Sequence, residues 1–387
     1  MMLFLNLLAL LVGMIVAQPA GAGDLITARA VLEDPSGLLT IADVVGRDFE
    51  PMSSALSKGY TASAFWLRID VRAPAKGHEV VLRMRPTYLD EIRLFEPHGG
   101  DPRGWKTRVT GDRYPYDARD RPAVIPSFVV HVTGPQSTYY LRLVTTSTVR
   151  LDLDAMEPHE ADQKDHQLDL VQEFFVLIML WLLLWAMHDY WYSRQPEVGL
   201  FCVYQIVYIL GALAIRGYLA PWIPAKAPEI ASAITNVLIV GVTFMGLWLN
   251  RALLKIYALP TLLIKGLNVC LLSLPMAWLA MALDQTRWAL HMNAVMLLVQ
   301  WVYFMALVFS LQQVPLLNRL ALQIFCGVIA FLVLPLYLSM LGWLTAIESD
   351  VWTMLVFSSM VWPTAVWAPS SSTRVRGRCV YRRAPII

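Results

Sequence analysis

DHQLDLVQEFFVLIMLWLLLWAMHDY, Asp165 to Tyr190, is the stretch in which this chain changes solvent. From Leu170 to Met187 Glu173 is the one ionisable residue, and the run is close to the ~20 residues that a helix needs to cross a hydrocarbon core. Before it, short bursts of polar and apolar residues alternate between Pro, Gly and Asp; after it, apolar runs of membrane length follow one another. A boundary near residue 168 therefore divides a water-facing part from a lipid-facing part. The composition of the 387 residues agrees: 57% are hydrophobic and 16% charged, where soluble domains carry about a quarter charged. A formal net charge of +2 is too small to mark a nucleic-acid partner.

Upstream of the boundary, FWLRIDV (Phe65 to Val71), EVVLRMR (Glu79 to Arg85), DEIRLFE (Asp90 to Glu96), SFVVHVT (Ser127 to Thr133), YYLRLVTT (Tyr139 to Thr146) and VRLDLDA (Val149 to Ala155) alternate with a period near two. Turn residues such as PHGGDPRG (Pro97 to Gly104) separate them. Short strands without an amphipathic helix predict an antiparallel sandwich, with Leu67, Ile69 and Val71 on one face and Trp66, Arg68 and Asp70 on the other.

Downstream, seven apolar runs are expected to be membrane helices: Leu170–Met187, Val198–Ile215, Ile230–Leu249, Gly266–Leu283, Trp288–Leu311, Leu320–Leu344 and Val351–Trp367. With the first domain outside, the loops expected inside carry Arg194, Arg251, Lys255, Lys265 and Arg319, and the outer ones Arg216, Lys226 and Arg287. That bias predicts an outer N-terminus and a cytoplasmic C-terminus. At the start, the apolar stretch Leu3–Val16 followed by Ala20-Gly21-Ala22 reads as a signal peptide over residues 1–22, although no Lys or Arg precedes Arg29. The expected division is then residues 23–160 as the sandwich, 161–169 as a solvated linker, 170–367 as the seven-helix domain and 368–387 as a short basic tail.

Chemistry-bearing motifs are scarce. GGD at Gly99–Asp101 continues as PRG and reads as a turn. HEADQKDH (His159–His166) lacks zincin spacing, and Cys202, Cys270, Cys326 and Cys379 have no metal-ligand spacing, so no metal and no cofactor is expected. No phosphate-binding loop occurs, and the chain is not expected to be an enzyme. Two groups of side chains stand out as candidates. Trp66, Arg68, Tyr88, Trp105, Tyr114 and Tyr116 could form a stacking face for a sugar, or belong to the packing of the sandwich or of a lid over its edge. Glu173, His291 and Asn293 are polar residues within or at the ends of spans, where hydrogen bonding between helices or snorkelling competes with a functional role.

The order of parts, with GYTASAFWLRIDV (Gly59–Val71), PTYLDEIRLFEP (Pro86–Pro97), TGDR (Thr110–Arg113) and YYLRL (Tyr139–Leu143), resembles the bacterial seven-transmembrane receptors with diverse intracellular signalling modules, their type 2 extracellular domain in particular. The resemblance implies a jelly-roll-like all-β sandwich in the periplasm, followed by an α-helical seven-transmembrane bundle in the inner membrane. It implies a receptor for a periplasmic small molecule, carbohydrate-like in kind, acting as a homodimer in the bilayer and relaying to a cytoplasmic diguanylate cyclase or histidine kinase. PSSSTRVRGRCVYRRAPII (Pro369–Ile387) stands where the connector and output are expected, and truncation of such a receptor is the favoured reading. The alternatives are a transporter or channel with an accessory outer domain, or a nonsignalling membrane scaffold.

Overall fold

A computed structural model describes residues 24–52, 55–97, 104–254 and 261–310, together with 323, 327, 334 and 337–342. The expected signal peptide, the Gly99–Asp101 turn, most of the sixth span, the seventh span and the basic tail lie outside the described residues.

The first part is an antiparallel sandwich, with ten strands among the described residues: β1 (Ile26–Asp34), β2 (Glu50–Pro51), β3 (Leu56–Gly59), β4 (Ala64–Arg72), β5 (Glu79–Arg85), β6 (Glu91–Pro97), β7 (Trp105–Thr110), β8 (Ser127–His131), β9 (Gln136–Val144) and β10 (Val149–Met156). Six of them form one sheet in the order β2-β1-β4-β9-β6-β7, and four form the other in the order β3-β10-β5-β8. All six strands expected from alternation are present. The period-two pattern does its physical work here: Leu67, Ile69 and Val71 of β4, Leu82 and Met84 of β5, and Leu141 and Leu143 of β9 are fully buried between the sheets.

The outer face of the larger sheet is not left to water. After β1, residues 35–49 cross it as a strap that includes the one-turn helix α1 (Ile41–Val44). The strap starts from Asp34, whose carboxylate accepts the backbone N–H groups of Ser36, Gly37 and Leu39 at 2.9–3.1 Å and the Ser36 hydroxyl at 2.6 Å. Thr40 and Asp43 form a capping box on α1. Beneath it, Val44, Trp66, Phe95 and Tyr140 make a second apolar cluster, with Leu32, Phe49 and Trp105 packed against it.

Among the described residues five long helices follow: α2 (Pro158–Ser193), α3 (Pro196–Ile215), α4 (Glu229–Leu254), α5 (Thr261–Ala282) and α6 (Thr286–Ser310). Among the described residues four of the helices are long and apolar enough to cross a membrane, those beginning at Pro158, Pro196, Glu229 and, for its apolar window, Ile264. Helix α2 starts with Pro158 at its first position, where the missing N–H costs nothing. It ends where Arg194 turns left-handed and donates its N–H to the Tyr190 carbonyl; Gln195 is extended, as a residue before proline tends to be, and Pro196 opens α3. At 36 residues α2 is about 54 Å long, far more than a bilayer core of ~30 Å requires.

That surplus corrects one expectation. Residues 161–169 are not a solvated linker: they are the first turns of α2, laid on the outer face of the smaller sheet. Ala161 packs with Val81 and Met156, and the buried stripe continues through Asp165, Val171, Phe175, Met179, Leu182 and Ala186 into the helical part. One rigid element therefore runs from the sandwich to the membrane region.

Candidate functional site: the strap-covered sheet face and the sandwich–helix junction

The six residues picked for a stacking face separate into two places. Trp66 and Trp105 lie on the outer face of the larger sheet, but Trp66 is fully buried, stacked on Phe95 with ring centroids 5.2 Å apart, and Trp105 meets Tyr140 edge-on at 5.4 Å. Arg68, two residues along β4 from Trp66, is exposed on that face beside Asp70 at 3.7 Å. Near them Arg142 donates to the Gly37 carbonyl of the strap at 2.7 Å and lies 3.6 Å from Glu91, which also pairs with Arg93. The face thus offers an exposed arginine and a half-buried Trp105 at the margin of a buried aromatic cluster.

Tyr88 and Tyr116 are elsewhere, in the connections at the end of the sandwich that meets the helices, and Tyr114 of the β7–β8 connection touches the first group through Glu91. The Tyr114 hydroxyl donates to Glu91 at 2.7 Å, and the Arg119 guanidinium lies over the Tyr116 ring at 5.0 Å. Burial raises the hydroxyl pKa of Tyr88, and of Tyr60 beside it, above the ordinary tyrosine value. No single stacking face unites the six.

What the structure brings together instead is a junction, and its first component is a clamp on α2. Arg83 of β5 is fully buried and gives two hydrogen bonds to Asp165 Oδ1 of α2, from Nε at 3.0 Å and Nη2 at 2.5 Å. Its Nη1 donates to Asp154, its register partner on β10, at 3.2 Å. Arg121 joins from the β7–β8 connection, donating to Asp165 Oδ2 at 2.9 Å and to Asp162 at 2.6 Å. A guanidinium buried so completely demands this many acceptors, because an unpaired one would cost several kcal/mol.

The second component caps the ends of other helices. The Thr87 hydroxyl donates at 2.9 Å to the carbonyl of Ile215, the last residue of α3, which has no partner within its own helix. Just beyond, Gly217 packs on Thr87 and Val124. Arg287, at the start of α6, reaches the Thr145 carbonyl, and the ring of His291 one turn later stacks on Tyr60 of the sandwich at 5.2 Å and 15°. Ser57 and Thr148 donate to the carbonyls of Ser339 and Met340 at 2.8 and 2.7 Å. There Gly59 (φ 66°) and Gly342 (φ 78°) bring two backbones together so closely that a Cβ on Gly59 would lie 2.5 Å from the Leu341 carbonyl oxygen.

Of the polar span residues, His291 is therefore a junction residue, at the interface rather than inside the bundle. Asn293 is buried with its Oδ1 unpartnered, whereas Glu173 is exposed on α2 and Tyr218, near it, donates instead to Asp169 at 2.6 Å. Arg83, Arg121, Asp165 and Thr87 were missed in the sequence. Arg83 carried a readable signal, a cation between the apolar Leu82 and Met84 of the EVVLRMR strand.

The sandwich, with its two antiparallel sheets and the helices that continue it, can be set against known families. Residues 27–157 match the 7TMR-DISM extracellular 2 family. This part of the chain is similar to the extracellular domain of that family. No curated protein matches it. The match runs from the second residue of β1 to the residue before α2, and with the apolar helices that follow it makes this a membrane protein with its N-terminal domain on the periplasmic side.

Proposed function

We propose that this protein is an inner-membrane receptor of the 7TMR-DISM kind. In this reading the jelly-roll-like sandwich binds a small periplasmic solute, carbohydrate-like in kind, at the strap-covered face of its larger sheet around Arg68 and Trp105. The junction passes the change to a seven-helix bundle, which acts on a cytoplasmic output. The chain itself senses and transmits and carries out no catalysis, and it works as a homodimer. The observation that carries the reading is the clamp: α2 is continuous from the smaller sheet to the membrane region, with Arg83 buried against Asp165. A ligand can shift the helices only by binding two arrangements of the sandwich with different affinity. A helix locked to the sheet transmits such a difference; a flexible linker would dissipate it.

The full chain in nanodiscs, screened by thermal shift against mono- and oligosaccharides and organic acids, is expected to yield a stabilising ligand. Arg68→Ala and Trp105→Ala should each weaken its binding at least tenfold, and ligand should change hydrogen exchange over residues 158–169. No hit across the panel, or a hit that leaves those amides unchanged, would count against the receptor reading.

A further inference from the structure

Two motifs singled out in the sequence, YLDE (Tyr88–Glu91) and TGDR (Thr110–Arg113), do no evident work in ligand binding, yet the fold presses them together at the junction. Asp112 N–H donates to the Leu89 carbonyl at 2.9 Å and Arg113 N–H to the Asp90 carbonyl at 3.4 Å. Gly111, at φ 146°, lies so near that a Cβ would be 2.2 Å from the Asp90 carbonyl oxygen. No residue other than glycine leaves room for this approach, and it fixes two carboxylates, Asp90 and Asp112, beside each other, with Asp112 facing Ser232 of α4.

Their surroundings differ. Asp90 is 2% exposed and fully compensated: it accepts the Thr145 and Thr146 hydroxyls at 3.0 and 2.8 Å and the Thr146 N–H at 3.1 Å, and Arg113 pairs with it at 2.7 Å. Asp112 has no such shell. Its Oδ1 is buried without a hydrogen-bond partner, and across the domain boundary it meets the Ser232 hydroxyl of α4. The other groups facing it are Asp90 from the β5–β6 connection and, from its own connection, Arg113 and Arg119. Arg113 is half exposed and committed to Asp90, while Arg119 spends one nitrogen on the carbonyls of Ala123 and Val124 at 3.1 and 2.8 Å.

The geometry points to a proton site: Asp112, shared between the sandwich and α4, takes up a proton when the two are docked and releases it when they part, so that the receptor reads periplasmic pH as well as a ligand. Burial and the neighbouring Asp90 push the Asp112 carboxyl from 3.8 up to about 7, with Ser232, Arg113 and Arg119 opposing the shift. The sign follows from linkage. A carboxyl raised on docking favours the docked state fully below 3.8, and that advantage is lost as pH rises toward about 7 and beyond. At the alkaline end Asp112 and Asp90 repel each other at the junction.

The test uses the full chain in nanodiscs without ligand, so its outcome does not depend on whether the receptor reading is right. Infrared difference spectra between pH 5.5 and 8.5 are expected to show a protonated carboxyl band titrating near neutrality, absent in Asp112→Asn. The thermal midpoint should fall with rising pH over the same window in the wild type and be flat in that variant. Should Asp112→Asn fail to fold, Arg113→Gln, at a half-exposed position, is expected to move the titration to higher pH by removing an opposing cation. A band that survives in Asp112→Asn, or a midpoint that Arg113→Gln leaves in place, would overturn the assignment.

Discussion

Replacing Asp165 with alanine is the sharpest probe of the clamp. The charges around it balance: Arg83, Arg85, Arg121 and Lys164 face Asp152, Asp154, Asp162 and Asp165. Without Asp165 the buried Arg83 keeps only Asp154, which is already shared with Arg85 and Lys164, each at 3.7 Å. Three charge-assisted hydrogen bonds disappear, two from Arg83 and one from Arg121. Removing one partner of a buried pair typically costs about 3–5 kcal/mol, mostly because the other charge is stranded. Read by hydrogen exchange of the intact chain in nanodiscs, amides of residues 162–169 should exchange roughly two to three and a half orders of magnitude faster, at ~1.4 kcal/mol per tenfold. The double variant Arg83→Met/Asp165→Leu removes both charges and should recover much of the loss. If Asp165→Ala changed exchange less than about fivefold, the clamp would not hold α2 and the transmission argument would fail.

Trp66→Ala should destabilise the sandwich by about 3–5 kcal/mol in thermal or urea unfolding, since this fully buried ring stacks on Phe95; a near-neutral result would mean that the strap does not seal a core. Burial alone would raise the Asp34 carboxyl, but its hydrogen bonds to Ser36, Leu39 and Gly37 outweigh that and hold it below 3.8. The strap it anchors is therefore fully held above that value and should become protease-sensitive over residues 35–49 as pH falls below it; cleavage independent of pH would contradict the anchor. Thr87→Val leaves the terminal Ile215 carbonyl without its hydroxyl donor, and should cost about 1 kcal/mol, seen as faster exchange at Gly217 and Tyr218.

The sandwich was legible because its strands are half-buried: each apolar residue that alternates in FWLRIDV or YYLRLVTT faces the inter-sheet core, so period two appears directly in the sequence. β1 was harder, since the strap covers its outer face as well, and ITARAVLED loses its contrast. The aromatic candidates went astray for a related reason. Trp66 was rightly assigned to the face opposite Leu67, but that face is covered by the connection between β1 and β2, and nothing within FWLRIDV announces the cover. The linker reading of residues 161–169 failed because a helix docked through ion pairs is polar on the face that docks. Asp162 and Asp165 look like solvent-seeking residues until Arg83 and Arg121, distant in sequence, are placed opposite them.

A polar clamp is an odd choice if firmness alone were required, since an apolar patch of the same size would hold α2 as well without the desolvation of buried charge. What the ions add is a register. Turning α2 by one residue would present Lys164 or His166 to Arg83, opposing a cation with another cation or with an imidazole. Along the same helical stripe the next carboxylates are Asp162, three residues before Asp165 and bound by Arg121, and Asp169, four residues after it and bound by Tyr218. Each is already spoken for, so small rotations and slides all break bonds before new ones form. The clamp therefore resists gradual displacement, and under the receptor reading proposed above its re-pairing as a set is the two-state element by which a weak binding preference would become a discrete movement of the helices.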